Sequence, residues 1–120
     1  MSAEATIEAY YDALRAGEPL APFFAADALA KFGIGERLVG YDDIAEGLRE
    51  QTQTTEEWTV ESHDLRVTEE GDFAWFVDDV RMAWTGESER HDHRTRWSGA
   101  LRREEDWEFV GMHVSVPEEP

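Results

Sequence analysis

The chain has no cysteine, a single lysine and no long apolar run. Without cysteine, neither a disulfide framework nor thiolate chemistry is available. No stretch approaches the ~18 apolar residues that identify a membrane helix. The first residues, Met1 to Glu4, have neither the basic start nor the apolar core of a signal peptide. We therefore expect a cytoplasmic protein that has no membrane partner.

Positive charge is also scarce. Against 28 acidic residues stand 11 basic ones, which gives a net charge of −17. Such charge is typical of disordered chains, but five tryptophans and six phenylalanines argue for a packed core. The composition instead predicts a halophilic protein, since dense surface carboxylates stay hydrated and their repulsion is screened in a salt-rich cytosol. The same charge repels polyanions, so no nucleic acid partner is expected.

Helical patterns occupy the first half of the chain. Apolar residues recur every three or four positions over 3–16, which predicts an amphipathic helix. A short helix is expected over 20–26, and two glycine-flanked strands over 28–40 predict a hairpin. A third helix is expected to begin at Tyr41, with Asp42 and Asp43 near its positive end.

Strand patterns fill the second half. Alternating residues predict four strands over 57–68, 73–84, 91–103 and 107–116. Their short acidic turns favour an antiparallel meander. Helices followed by a long sheet make an α+β domain, in which a curved antiparallel sheet wraps around about three helices. We expect one domain over 1–117, a disordered tail over 118–120 and a ligand pocket at the open end of the cone.

Large apolar side chains fall on both faces of this predicted sheet. A sheet that is apolar on both faces is covered twice. The helices cover one face, and a second subunit is the expected cover for the other, which predicts a homodimer through the sheet face. Alternation in the last strand assigns one face to Trp107, Phe109, Gly111, His113 and Ser115.

The last two strands carry a family resemblance. An arginine-led strand, Arg96–Arg103, is followed by Trp107–Pro117 with its histidine-x-serine, and this pattern resembles the SnoaL-like branch of the nuclear transport factor 2-like (cystatin-like) superfamily. The association domain of calcium/calmodulin-dependent kinase II is similar here, with two histidines at the places of Gly111 and His113, and with a stretch resembling Val80–Met82.

The resemblance implies a cone fold, a dimeric or larger assembly and a polar-floored cavity. It implies no single reaction, because the superfamily includes isomerases, cyclases, dehydratases and assembly hubs. It places Arg81, Arg96 and His113 inside the cone, where planar guanidinium groups could hold a carboxylate-bearing small organic ligand. The remaining predicted ligand-binding residues are Ser115, Trp75 and Tyr11. The alternative is that the arginines pair internally with Asp79, Asp78 or Asp64.

Two further functions stay open. The protein could be a cofactor-independent isomerase, cyclase or dehydratase, with Asp79 and His113 as the catalytic acid–base pair and Tyr10 or Tyr11 donating to an enolate oxygen. It could also be a non-catalytic assembly module. His91 and His93 share a face, but a metal site needs three or four ligands and His63 is the only further candidate. We therefore expect no metal and no cofactor.

Overall fold

The computed structural model describes residues 1–117 as two α-helices and seven β-strands, together with a 3-10 turn at Ala21–Phe23. The expected disordered tail, 118–120, lies outside the described residues. Neither described helix is long and apolar enough to cross a bilayer. The elements are α1 Ala3–Ala16, β1 Ala30–Gly33, β2 Glu36–Val39, α2 Tyr41–Thr54, β3 Thr55–Ser62, β4 Arg66–Glu70, β5 Phe73–Gly86, β6 Glu89–Arg103 and β7 Trp107–Ser115.

The first helix forms as the sequence predicts. The Ser2 hydroxyl accepts a hydrogen bond from the Ala5 amide at 3.0 Å, and Gly17 ends the helix in the left-handed conformation that glycine favours. Its apolar stripe, which includes Ile7 and Leu14, is buried against the sheet. The short helix expected over 20–26 is reduced to the 3-10 turn, because Phe24 becomes extended and bridges to Phe109.

The sheet is mixed rather than wholly antiparallel. Its strand order is β2-β1-β7-β6-β5-β3, and β4 also pairs with β5. The parallel contact joins β1 to β7, which corrects the expected antiparallel sheet at that pair. Two α-helices stand where about three were expected. The α+β class and a curved, unclosed sheet are confirmed.

The first predicted long strand, 57–68, is interrupted where it passes a buried carboxylate of β5. Asp78, which is 3% exposed, accepts hydrogen bonds from the Ser62 hydroxyl at 2.6 Å and from the Asp64 amide at 3.0 Å. The predicted strand 57–68 is therefore two strands, β3 and β4, that pair with successive parts of β5. The break lets the Ser62 hydroxyl and the Asp64 amide donate hydrogen bonds to the Asp78 carboxylate, which would otherwise be a buried charge with fewer partners.

A bulge changes the phase of β7. Ala100 pairs with Gly111 and Leu101 pairs with Phe109, so Val110 is an extra residue in the ladder. Alternate residues before Val110 and alternate residues after it, which a regular strand would place on one face, therefore lie on opposite faces. Trp107 and Phe109 are buried on the inner face, where Phe109 packs against Tyr10 of α1, whereas His113 is exposed on the outer face. The prediction that all of these share one face is wrong.

We expect Gly99→Ala to destabilise the fold by about 1–3 kcal/mol. A Cβ at Gly99 would lie 2.6 Å from the Gly111 carbonyl oxygen and 2.9 Å from Phe76 Cε1. Gly111→Ala is the matched control, since the nearest atom to its Cβ is 3.8 Å away. Denaturant unfolding should separate the two variants, and equal stability would contradict this account of the packing at the bulge.

Candidate functional site

Most of the predicted site residues lie on the outer face of the sheet. Register and burial put Trp75, Asp79 and Arg81 of β5 on that face, together with Arg96 of β6. Past the bulge, His113 and Ser115 of β7 lie there as well. The expectation that these side chains point into the cone is therefore wrong. A ligand-binding role for these residues stays a prediction, and it now concerns the outer face, where Asp79, Arg96, His113 and Ser115 line one groove.

The two arginines differ in their partners. Arg81 donates to Asp92 at 2.7 Å and to Glu61 at 3.1 Å, and these bonds raise the pKa of its guanidinium. Internal pairing therefore occurs, although with other carboxylates than those predicted. Arg96 makes no hydrogen bond or ion pair with any side chain in the part of the chain that the structure describes, 1–117.

The predicted acid–base pair is not assembled. Asp79 lies on β5 and His113 on β7, with β6 between them. Neighbouring strands are ~4.8 Å apart, so the two side chains are separated by about two strand spacings. Asp79 pairs in register with Arg96, whereas His113 packs edge-on against Phe32 with 5.9 Å between ring centroids.

Tyr11 is the predicted ligand-binding residue that does face inward. Its hydroxyl donates to Asp78 Oδ2 at 2.8 Å, deep in the core. Burial and the Asp78 carboxylate raise the pKa of Tyr11 far above its ordinary value. The hydroxyl is thus a neutral donor that is already used, and it joins α1 to β5 rather than binding a ligand.

A cavity of about 80 Å³ opens inside the cone, between α1, the β1–β2 hairpin and the sheet. We call it the inner cavity. Its wall is mostly aromatic and apolar, with a polar side near the hairpin. The apolar residues are Tyr10, Leu14, Ile34, Trp58, Met82, Trp84, Trp97 and Val114, and the polar ones are Lys31, Glu36 and Gln51.

Lys31 and Glu36 form an ion pair on the wall of the inner cavity. Lys31 lies at an inner position of β1, and its side chain is only 7% exposed. A Cβ at Gly33 would come within 2.7 Å of Glu36 Oε1, so the glycine leaves the room that this carboxylate occupies. A buried ammonium group requires such a partner, because an unpaired charge there is costly.

Tyr10 contributes an uncommitted hydroxyl. The residue is 1% exposed and packs edge-on against Phe109 and Trp97. Within residues 1–117 its hydroxyl makes no hydrogen bond. Burial and the nearby Glu36 carboxylate raise the pKa of Tyr10, so the group stays protonated. A buried donor of this kind is available to an acceptor that enters the cavity.

Stacked rings form the outer part of the wall. Trp58 and Trp84 stack with 4.8 Å between their centroids, and His91 stacks on Trp84 at 5.1 Å. Glu57, the residue before Trp58, has a positive φ and lies where the pairing of β3 with β5 is irregular. A wider opening of about 490 Å³, which we call the vestibule, shares Glu36, Gln51 and both tryptophans with the inner cavity.

The two candidate metal ligands belong to this stacked wall. His93 also packs on Trp84, at 5.5 Å. Across 1–117, no cluster of three His, Cys, Asp or Glu side chains is arranged to hold a metal ion. The expectation of no metal is not thereby tested, but the two histidines have a packing role.

Sequence reasoning did not select Lys31 and Glu36. In the structure Phe32 is 38% exposed, whereas Lys31 points inward. The available signal was compositional. Lys31 is the one lysine in a chain whose other basic residues are arginines, and it lies within a short predicted strand. This unusual placement was the signal.

Tyr11→Phe and Tyr10→Phe make a matched pair of variants. Removing the Tyr11 hydroxyl deprives the buried Asp78 of a donor, which should cost about 1–3 kcal/mol of unfolding free energy. Removing the Tyr10 hydroxyl breaks no protein hydrogen bond among the described residues, so its stability should be nearly unchanged. The opposite order in chemical denaturation would show that these two assignments are reversed.

Comparison with solved structures places the fold. A candidate dehydratase of the nuclear transport factor 2-like family from Streptomyces avermitilis matches with a TM-score of 0.87 and 17% identity, over 97% of this chain and 94% of that one. A ketosteroid isomerase-like protein from Erwinia carotovora atroseptica matches with a TM-score of 0.78 and 18% identity, over 97% and 94%. At such identity the likeness shows the fold alone.

A candidate calcium/calmodulin-dependent protein kinase type II association domain from Thiobacillus denitrificans matches with a TM-score of 0.76 and 21% identity, over 98% and 96% of the two chains. A comparison with curated proteins gives no match. The family model of the SnoaL-like domain matches residues 3–119. The chain therefore belongs to the SnoaL-like domain family.

Proposed function

We propose that the protein binds a small, flat, neutral organic molecule in the inner cavity, through an oxygen that accepts a hydrogen bond from Tyr10. The observation that carries the proposal is the Tyr10 hydroxyl, a buried and neutral donor without a described partner on the wall of an aromatic cavity. Pockets of this composition, apolar with a few convergent polar groups, are typical ligand sites.

Charge favours a neutral ligand over the carboxylate that the outer arginines suggested. Glu36 already neutralises Lys31, so a second carboxylate would meet the Glu36 carboxylate as well as the ammonium group. The net charge of −17 also lowers the local concentration of anions. A carbonyl oxygen carries no such penalty, since it accepts a hydrogen bond without the desolvation of a full charge.

Size limits the ligand to about one ring in the inner cavity. An engineered apolar cavity of ~150 Å³ takes up benzene, and the inner cavity measures about 80 Å³. A ring therefore fits only if it also occupies part of the vestibule. Trp58 and Trp84 line both spaces, and they offer an aromatic surface for such a ring to contact.

A catalytic alternative uses the same cavity. An isomerase, cyclase or dehydratase needs a base and a donor for a developing oxyanion. Glu36 and Tyr10 could fill these roles without a cofactor, in place of Asp79 and His113. This alternative rests on the two groups sharing one cavity wall. A purely structural assembly module would use neither group.

We further propose that the outer face of the sheet joins two copies of the chain. Phe73, Trp75 and Val77 form an apolar strip on β5, each about half exposed. The small residues Ala100 and Gly111 lie in register with Trp75 on the next two strands. Beside them, His113 pairs with Phe32 of β1. Exposed apolar strips of this kind are typical of interfaces.

Charge distribution supports the same face. The outward-facing strand positions of the sheet carry seven arginines and six carboxylates, although the whole chain has 28 acidic residues and 11 basic ones. A second acidic copy therefore meets least repulsion here. The arginines are Arg37, Arg66, Arg81, Arg90, Arg94, Arg96 and Arg102, and the carboxylates are Glu56, Glu61, Glu70, Asp79, Asp92 and Glu108.

Benzamide and toluene test the ligand proposal, because they share a ring and differ in the carbonyl group. Benzamide should raise the melting temperature and toluene should raise it less. Tyr10→Phe should weaken benzamide binding roughly three- to tenfold, the value of one neutral hydrogen bond. Trp75→Ala, on the outer face, should leave binding unchanged. Equal affinities of wild type and Tyr10→Phe would contradict the proposal.

Sedimentation in a salt series tests the interface and the predicted salt adaptation. The dimer fraction should rise between ~0.1 M and ~1 M salt, as the Debye length falls from ~10 Å to ~3 Å. Val77→Glu should abolish the dimer, whereas Ala16→Glu adds the same charge at the exposed end of α1 and should only weaken it slightly. A wild-type chain that stays monomeric throughout would overturn the proposal.

A further inference from the structure

We propose that Lys31 binds carbonyl compounds covalently, as an imine formed inside the inner cavity. The proposal rests on the ligand site above and goes beyond it, since it assigns a reaction to the one side-chain amine of the protein. Three observations carry it: a nearly buried lysine side chain, a carboxylate paired with its Nζ within residues 1–117 and a neutral hydroxyl on the same wall.

The position of Nζ suits a nucleophile. The side chain is 7% exposed, and its described hydrogen-bond partner is Glu36. An amine on an apolar cavity wall can attack a carbonyl once a neighbouring base takes its proton. The cavity also limits the water around the product, which slows hydrolysis of the imine.

Glu36 and Tyr10 supply the proton transfers. Glu36 takes a proton from Nζ, the nitrogen lone pair forms a bond to the carbonyl carbon, and the carbonyl oxygen gains the Tyr10 proton as its π pair moves onto it. The nitrogen then returns a proton to Tyr10, which gives a neutral carbinolamine. Its hydroxyl leaves as water with the proton held by Glu36, and the nitrogen lone pair forms the C=N bond.

The step is balanced within the cavity. One carbonyl compound and one ammonium group give one protonated imine and one water, and no oxidant, reductant or cofactor is consumed. The product keeps the positive charge beside Glu36, so the ion pair of the free protein is retained. Flat aromatic aldehydes match the ring-lined wall that Trp58, Trp84 and Trp97 form.

Composition makes the test unusually clear. The full chain has one lysine, so its amines are Lys31 Nζ and the α-amino group of Met1. Benzaldehyde with cyanoborohydride reduces an imine to a stable benzylamine, which peptide mass spectrometry assigns to one of the two. We expect Lys31 of the folded chain to be modified at least tenfold faster than Lys31 of the same chain in denaturant.

Two variants separate the roles of the groups. Lys31→Arg keeps the charge beside Glu36 and should lose the adduct, while circular dichroism confirms that it is folded. Glu36→Gln should slow adduct formation at least tenfold. Modification confined to Met1, or Lys31 reacting no faster when folded than when unfolded, would overturn the proposal. Benzamide cannot form an imine, so benzamide binding without an adduct would reject this inference and leave the ligand site standing.

Discussion

The bulge at Val110 determines which side chains of β7 enter the cone. One extra residue in β7 reverses the alternation of everything that follows it. Phe109, before the bulge, packs against Tyr10 and Phe76 in the core, while His113, after it, faces outward. Val114 thereby reaches the wall of the inner cavity, while His113 and Ser115 line a groove on the outer face.

The two faces of the sheet carry different groups of residues. Among residues 1–117, the inside of the cone holds an aromatic wall, the Lys31–Glu36 ion pair and the Tyr10 hydroxyl, which has no hydrogen-bond partner there. Outside lie an apolar strip and a nearly balanced set of charges, on a chain that is strongly acidic elsewhere. A small-molecule site and a subunit interface can thus occupy opposite faces of one sheet without competing for the same side chains.

Much of the fold could be predicted because its signals are local. The capped helix Ala3–Ala16, the long hairpin of β5 and β6 and the family pattern over Arg96–Pro117 each depend on nearby residues. The parallel pairing of β1 with β7 could not be read in this way, since it joins residues about 80 positions apart. The break between β3 and β4 likewise depends on tertiary contacts, those of Ser62 and Asp64 with the Asp78 carboxylate.

The candidate site was harder to predict than the fold. Its location inside a cone was implied, but its residues were not, because strand alternation sorts side chains to two faces without showing which face the helices cover. Lys31 was hidden by its charge, since lysine is seldom fully buried unless it is paired. The partner that allows its burial, Glu36, lies across the β1–β2 turn, so hairpin register decides whether the two meet.

The tryptophan indole groups offer the most direct test of the central claim, that the inner cavity rather than the outer face receives a ligand. Trp58, Trp84 and Trp97 line the cavity, whereas Trp75 lies on the outer face. With nitrogen-15 labelling, the five tryptophans give separate indole N–H resonances. A benzamide titration should shift the resonances of the three cavity tryptophans and leave that of Trp75 in place. A shift of Trp75 with the cavity set unmoved would contradict the account.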